Sequence, residues 1–340
     1  MTESRHSKVT AQDVARKAGV SQSAVSRAFT PDASVSPVTR QKVLKAAAEL
    51  GYRPNAFARS LTTRRSDIIG VAMGNLQNPF FAAALEEITH QFARAGLRLL
   101  VFSARPDMPV EEIMQYQIEA LLMLSAPLSP RLKSECQVGR VPVVMFNRSS
   151  LEPDISSVVG DNAQGAATIA AYLLAGDHRR IAYMALGQEN ESTASVEREA
   201  AFTAYLAAQG HRLHSRAAAD FTSAGAAAAM RKLLLQPERP DAVFCANDHL
   251  AIMALQVAQA EFGLEVGRDI SIVGFDDVPQ ASWPGISLTT FSQPIAPMVS
   301  AALDLIEDLR SGEAPPQQVV IPGDLVVRSS ARRPRYTAGG

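Results

Sequence analysis

Two rhythms of apolar and polar residues follow one another along the chain. Up to residue 51 the apolar positions recur at helical spacing in short segments. Val14, Ala15 and Ala18 share one face of a segment that Thr10 caps and Gly19 ends. Ser21 opens a second segment whose apolar face is Val25, Ala28 and Phe29. Ser36 and Pro37 open a third, with Val38, Val43, Leu44, Ala47 and Leu50 as its expected inner face and Gly51 at its end. Two short helices around a glycine predict a helix-turn-helix, and three such helices can share one small core. From Asp67 the rhythm changes to short apolar runs alternating with longer amphipathic stretches. The runs predict strands at 68–73, 97–103, 120–124, 141–146, 181–186, 242–246 and 270–275. The stretches predict helices at 79–94, 110–118, 163–175, 195–209, 223–235, 248–262 and 294–310. Such alternation predicts doubly wound parallel sheets with helices on both faces. A break near Gly160–Gly165 predicts two similar α/β subdomains.

Charge sharpens this division. The 340 residues carry a net charge of −1. Residues 1–66, however, hold twelve Lys and Arg against four Asp and Glu, leaving 21 basic and 30 acidic residues in the remainder. A head of +8 on a body of −9 points to a polyanion as the head's partner. Between them, YRPNAFARSLTTRRS (52–66) is basic and has little to bury, and its NAFARSL stretch is too short to be helical without a partner. No apolar run approaches the roughly 18 residues of a membrane helix. The opening MTESRHSKVT has no apolar signal core, so a cytoplasmic protein with no membrane partner is expected. Cys136 and Cys245 lack CxxC spacing and read as reduced, buried thiols.

The outer face of the second helix carries Gln22, Ser23, Ser26 and Arg27, side chains that suit base edges in a major groove. For Ser21 helix capping is the preferred reading. In the body, the polar groups gather at strand ends, where open α/β sheets bind ligands. Asn147 and Arg148, Asn247 and Asp248, and Asp276 and Asp277 occupy such ends, and Arg198 opens a helix. Asp248 and Asp277 read as turn formers or helix caps. Arg148 with Arg198 could hold a carboxylate or phosphate, making the effector an anionic sugar derivative or organic acid. The alternative is an ion pair of Arg148 with Glu152, Asp154 or Asp161. No GxGxxG, GxxxxGK, GxSxG or HExxH motif occurs, and the six histidines have no metal-ligand spacing. No enzyme activity, metal or cofactor is therefore expected.

VTAQDVARKAGVSQSAVSRAF (9–29), followed by VSPVTRQKVLKAAAELGYRPNAFARSL (35–61), closely resembles the LacI/GalR family of bacterial transcription regulators. The body continues the resemblance through NPFF (78–81), VPVVMFNR (141–148), VVGDNAQGA (158–166), FCANDHLAIMAL (244–255) and ISIVGFDD (270–277). It departs at Asp177-His178 and Ala201-Phe202, where the family usually has Gly-His and Gly-Phe.

The resemblance implies a small all-α helix-turn-helix head on an α/β body like type I periplasmic binding proteins. Its expected domains are residues 1–51 for DNA binding, 52–66 for the hinge, and 67–335 for effector binding and dimerisation. The N-subdomain would span about 67–162 and 292–322, and the C-subdomain about 163–291 and 323–335. By the same resemblance, Gln22, Ser23, Ser26 and Arg27 face the major groove. Thr10, Tyr52 and Asn55 touch phosphates, and Ala58 and Leu61 enter the minor groove from the hinge helix. Arg198 and Asp276 match the most regular effector contacts, and Phe80, Phe81, Arg148, Phe221 and Asn247 match positions that vary with the ligand. Phe80 and Phe81 are equally compatible with a core role. The function so implied is a ligand-responsive repressor, a homodimer on a pseudo-palindromic double-stranded operator. Its effector would be a sugar, sugar acid or related small polar metabolite. A solute-binding receptor for a transporter would explain the body but leave the head without a purpose, and an enzyme would lack its motifs.

Overall fold

The computed structural model describes residues 9–30, 33–53, 66–74, 77–104, 110–124, 126–150, 152–187, 192–312 and 315–334. The chain divides into two units, Met1–Asp67 and Ile68–Gly340.

Among the described residues of the first unit are three helices, α1 (Ala11–Ala18), α2 (Gln22–Ala28) and α3 (Pro37–Leu50). Each begins as its sequence predicts. Thr10 forms a capping box with Asp13, and Ser21 and Ser36 accept from Ala24 N and Thr39 N. Gly19 and Gly51 end α1 and α3 in the left-handed region, at φ 66 and 65. The shared core is Val14, Ala15, Val25, Ala28, Val43, Ala46 and Ala47, with Phe29, Leu50 and Tyr52 packed around it. Two expected core positions are instead exposed: Val38 (64%) and Leu44 (45%). The inner stripe of α3 runs through Val43, Ala46 and Ala47, which points Leu44 outward.

The second unit contains two six-stranded sheets. Sheet A is ordered β11-β5-β4-β3-β1-β2, from β1 (Ile68–Met73), β2 (Arg98–Ser103), β3 (Ala120–Leu124), β4 (Val143–Phe146), β5 (Ser156–Gly160) and β11 (Gln318–Ile321). All its pairings are parallel. Sheet B is ordered β12-β10-β9-β8-β6-β7, from β6 (Ile181–Leu186), β7 (Ser215–Ala219), β8 (Ala242–Cys245), β9 (Ser271–Asp276), β10 (Thr289–Ser292) and β12 (Leu325–Val326). Only its β10–β12 pair is antiparallel. Helices α4 (Pro79–Arg94), α5 (Val110–Met114), α6 (Pro130–Gly139) and α11 (Ile295–Ser311) accompany sheet A. Helices α7 (Asn162–Ala175), α8 (Thr193–Ala208), α9 (Ser223–Leu234) and α10 (Asp248–Ala260) accompany sheet B.

Period two sorts the strand side chains of sheet A onto its faces. Val71, Met73, Leu122 and Leu124 join the core with Phe80, Ile88 and Phe92 of α4, while Ala72, Leu121 and Met123 join Ile113, Leu132 and Cys136 on the other side. Helix α5 is shorter than its expected range, because the chain turns at Gln117 (φ 53) before Ile118 enters the core. At Asp177, in place of the family's glycine, the backbone is left-handed (φ 60), a conformation Asp tolerates better than most residues. Next to it His178 is fully buried, between Asp241 (Nδ1–Oδ1 3.3 Å) and the Ser271 hydroxyl (Nε2–Oγ 2.8 Å).

The chain passes between the sheets three times, after β5, after β10 and between β11 and β12. These crossings are bonded side by side: Asp161 N donates to Ile321 O (3.0 Å) and Ser292 N to Asp324 O (2.7 Å). Among the described residues no helix is long and apolar enough to cross a membrane.

Candidate functional sites

On the head, all four proposed base-reading side chains of α2 are exposed: Gln22, Ser23, Ser26 and Arg27. Their spacing makes one polar face opposite the buried pair Val25 and Ala28. The Ser21 and Ser23 hydroxyls lie 2.9 Å apart. Thr10 is exposed, its hydroxyl donating to Asp13 Oδ2 (2.7 Å). Tyr52 is half-buried, its ring 6.0 Å from that of Phe29. Asn55, Ala58 and Leu61 lie outside the described residues. One supporting residue escaped the sequence reading. The Arg40 guanidinium, from α3, donates to Ala28 O (2.9 Å) and Ala33 O (3.3 Å), holding the end of α2 and the loop after it. A basic residue on a polar helix face gives no sign of that reach.

In the body, a cavity of about 30 Å³ lies between the C-terminal ends of the two sheets. Its walls are Asn78, Phe81 and Asn147 from the sheet A side, and Leu186, Ser192, Ala194, Ser195, Arg198, Phe221, Asn247 and Asp276 from the sheet B side. Five of the seven proposed effector residues therefore meet here. Phe80 does not. It is fully buried against Phe81 (centroids 5.2 Å) and Phe146 (6.4 Å) and belongs to the core. Arg148 follows the lining residue Asn147 but is not itself in the wall.

Arg198 organises the site. Its capped helix start places it at the second turn of α8, 4% exposed. Nε donates to Asn162 Oδ1 (2.8 Å) and Nη1 to Ala246 O (2.8 Å). Nη1 also lies 3.6 Å from Asp276 Oδ1. The guanidinium rests 3.7 Å from the ring centroid of Phe275, a cation–π contact sheltered from water. Beneath it run Phe244, Phe202 and Tyr183, successive rings 4.9–6.5 Å apart. Its Nη2 is buried with no hydrogen-bond partner among the described residues. Burial lowers the pKa of Arg198, opposed by Asp276.

Asp276 ends β9 with an unusual backbone (φ 132). Its Oδ1 accepts from Gln293 Nε2 (2.6 Å), and its Oδ2 from Asn78 Nδ2 (3.4 Å) across the cavity. Burial pushes its carboxyl upward while Arg198 pulls it down. Asp248 lies behind, fully buried. It does not cap α10, since Asn247 does so by accepting from Leu250 N (2.9 Å). Asp248 instead accepts from Val278 N (2.9 Å) and from the Thr290 hydroxyl (2.5 Å). Burial, then the charge of Asp276, push it well up. Asp277 (φ 56) forms an ion pair with Arg328 (2.7 Å). Asp248 was expected as a turn former or cap, whereas Asn78, Asn162 and Gln293 were missed, because isolated polar residues beside strands carry no signal until the fold gathers them. Cys136 and Cys245 are buried and free, and burial raises both thiols, Cys136 to about 11, which makes them poor nucleophiles.

A helix-turn-helix head joined to a two-sheet body with a polar cleft defines a ligand-responsive DNA-binding transcriptional regulator. Comparison with known proteins agrees over nearly the whole chain. Residues 10–55 match "Bacterial regulatory proteins, lacI family", and residues 170–331 match "Periplasmic binding protein-like domain". The transcriptional regulator CelR of Thermobifida fusca is 32% identical over 340 residues, covering 96% of this chain and 99% of that protein. The ribose operon repressor of Escherichia coli is 31% identical over 306 residues, covering 87% and 92%. The lac repressor dimer bound to operator and the anti-inducer ONPF superposes with TM-score 0.84 at 28% identity, covering 96% and 100%. A CelR–cellobiose complex superposes with TM-score 0.71 at 30% identity, covering 95% and 100%. The chain belongs to the LacI family of bacterial transcription regulators.

Proposed function

We propose that the protein is a repressor that reads a pseudo-palindromic operator as a homodimer and releases or tightens on it when a small polar metabolite enters the body's cleft. The observation that carries this is the exposed row of Gln22, Ser23, Ser26 and Arg27 on α2, opposite the Val25 and Ala28 that anchor this helix in the head's core. Arg27 is suited to a guanine, Gln22 to an adenine, and the serines to either. Residues 1–51 would form the DNA-reading domain, 52–66 the hinge and 67–335 the effector body. Thr10, Tyr52 and Asn55 would contact phosphates, and Ala58 and Leu61 the minor groove.

The effector class follows from the cleft. Asn78, Asn147, Asn247, Ser192, Ser195, Arg198 and Asp276 offer many hydrogen-bonding groups, and Phe81 and Phe221 offer apolar faces, as a sugar or related polyol requires. Relatives include a ribose operon repressor and a regulator solved in complex with cellobiose. Only about 30 Å³ is open, room for a water or two, so an effector must part the walls. The Asn78–Asp276 contact spans them and would be the first to yield. An effector with equal affinity for both arrangements would shift nothing. A homodimer is supported by two exposed apolar features. Edge strand β2 has no fully buried position, although β1, β3, β4 and β5 of the same sheet are buried almost throughout, and Trp283 is 53% exposed.

The test is operator selection from random DNA, followed by binding measured across a salt series. A recovered pseudo-palindrome, bound more tightly than random duplex and weakened steeply by salt, is expected. Failure to bind any duplex at low salt would overturn the reading.

A further inference from the structure

We propose that the effector carries one anionic group, a carboxylate or a phosphate, and that Arg148 receives it at the mouth of the cleft. The inference rests on the ligand-responsive reading above and narrows it to a chemical class.

The placement of Arg148 comes first. Asn147 before it lines the cavity. Ser149 after it donates its backbone N–H to Thr193 Oγ1 (3.0 Å), at the start of the helix whose Ala194, Ser195 and Arg198 line the opposite wall. Arg148 is therefore flanked in the chain by a residue of one wall and by a contact to the start of the helix that forms the other.

Its partners come second. The acids near it in sequence are committed elsewhere. Lys133 holds Glu152 (2.9 Å) and Asp154 (3.3 Å), and Asp161 caps α7 by accepting from Gln164 N (2.9 Å). Among the described residues Arg148 has neither an ion pair nor a hydrogen bond, although it is half-buried. Burial lowers its pKa and no neighbouring anion opposes this. A partly desolvated, uncompensated cation is costly, and its planar fork fits a carboxylate or phosphate.

The cavity behind supplies the rest of the ligand's shape. Arg198 and Asp276 neutralise one another, and the Asp276 oxygens are already bonded to Gln293 and Asn78. Among the described residues lining the cavity, one buried donor, Arg198 Nη2, and one buried acceptor, Asn147 Oδ1, have no partner. These suit hydroxyl groups of a neutral polyol body, with the charge left for Arg148.

The experiment is calorimetric titration of the full-length protein with matched ligands. D-Glucose is compared with D-gluconate, D-glucuronate and a glucose phosphate, and D-ribose with a ribose phosphate. Wild type, Arg148→Lys and Arg148→Ala are titrated, and thermal melting confirms that each variant is folded. An anionic member should bind wild type on the order of tenfold or more tighter than its neutral counterpart. Arg148→Ala should erase that preference, and Arg148→Lys should keep part of it. The arms that bind distinguish a carboxylate from a phosphate. The proposal is overturned if neutral members bind as tightly as anionic ones, if no anionic member binds, or if Arg148→Ala leaves the preference intact. Failure of wild type to bind its selected operator would instead overturn the regulator reading.

Discussion

Gln293 grips Asp276 twice: its side-chain Nε2 donates to the carboxylate (2.6 Å), and its backbone N–H donates to the Asp276 carbonyl (3.1 Å). Gln293 lies in a crossing between the subdomains, so the position of the cavity-lining carboxylate is tied to the crossing itself. On the far side of the amide, Gly160 leaves room that a Cβ would take, 2.7 Å from Gln293 Oε1. Gly160→Ala should therefore act through Gln293. Its destabilisation should shrink by at least about 0.5 kcal/mol when Gln293 is already alanine. Thermal denaturation of both single variants and the double variant measures this, and strict additivity would refute the coupling.

The buried carboxyl of Asp248 gives a pH signature. Its folded value is pushed up from the ordinary range near 4 toward about 8. The folded state thus holds this proton more tightly than the unfolded state. The stability it brings is complete below the ordinary value and is lost as pH rises through the folded one. Asp248→Asn should be insensitive to that rise. Relative to wild type it should gain at least about 1 kcal/mol between about pH 5 and about pH 8. Denaturant unfolding at the two pH values tests the sign.

Arg40→Ala should loosen α2 without touching its outer face. Losing the bonds to Ala28 and Ala33 should cost the head about 2 kcal/mol, as for hydrogen bonds to charged groups. Hydrogen exchange should rise in the amides of α2 and the segment after it, while the amides of sheet B keep their protection.

Arg27→Ala should relax operator specificity at one position per half-site and cost about 1–3 kcal/mol of operator binding. Binding to unrelated duplex should change far less. Equal losses on both would mean that Arg27 contacts phosphate rather than a base.

Gly165→Ala should strain the body's core. A Cβ there would meet the Phe291 and Phe275 rings at 2.7 and 2.8 Å, and Phe275 supports Arg198. Overpacking of this kind costs about 1–3 kcal/mol, and the melting temperature of the body should fall accordingly.

The elements most legible in the sequence were those with strong local signals. Thr10, Ser21 and Ser36 announced three helix starts, and the runs IIGVAM, ALLML and IAYMAL announced buried strands. Strands β5 (SSVVG), β7 (SRAAA) and β10 (TTFS) escaped because small and polar residues dominate them and their pairing comes from distant parts of the chain. The same applied to the cleft. Arg198 and Asp276 stood out through family resemblance, whereas Asn78 and Gln293 became meaningful only when the fold brought residues 198 and 17 positions apart into hydrogen-bond range of, or contact with, one carboxylate. Arg148 was ambiguous for another reason: the acids that would have neutralised it are claimed by Lys133 and a helix start, which no local pattern reveals.

The two edge strands contributed by residues 318–326 bear on how the protein is made. Sheet A takes its last strand, β11, and sheet B its last strand, β12, from this one late stretch. During synthesis neither sheet can be completed until it has left the ribosome. The head's core, by contrast, draws on no residue beyond Tyr52 among those described. A nascent chain would therefore own a packed helix-turn-helix head well before it owned two finished sheets. In such a protein, translation itself sets an interval in which the reading module exists without its regulator.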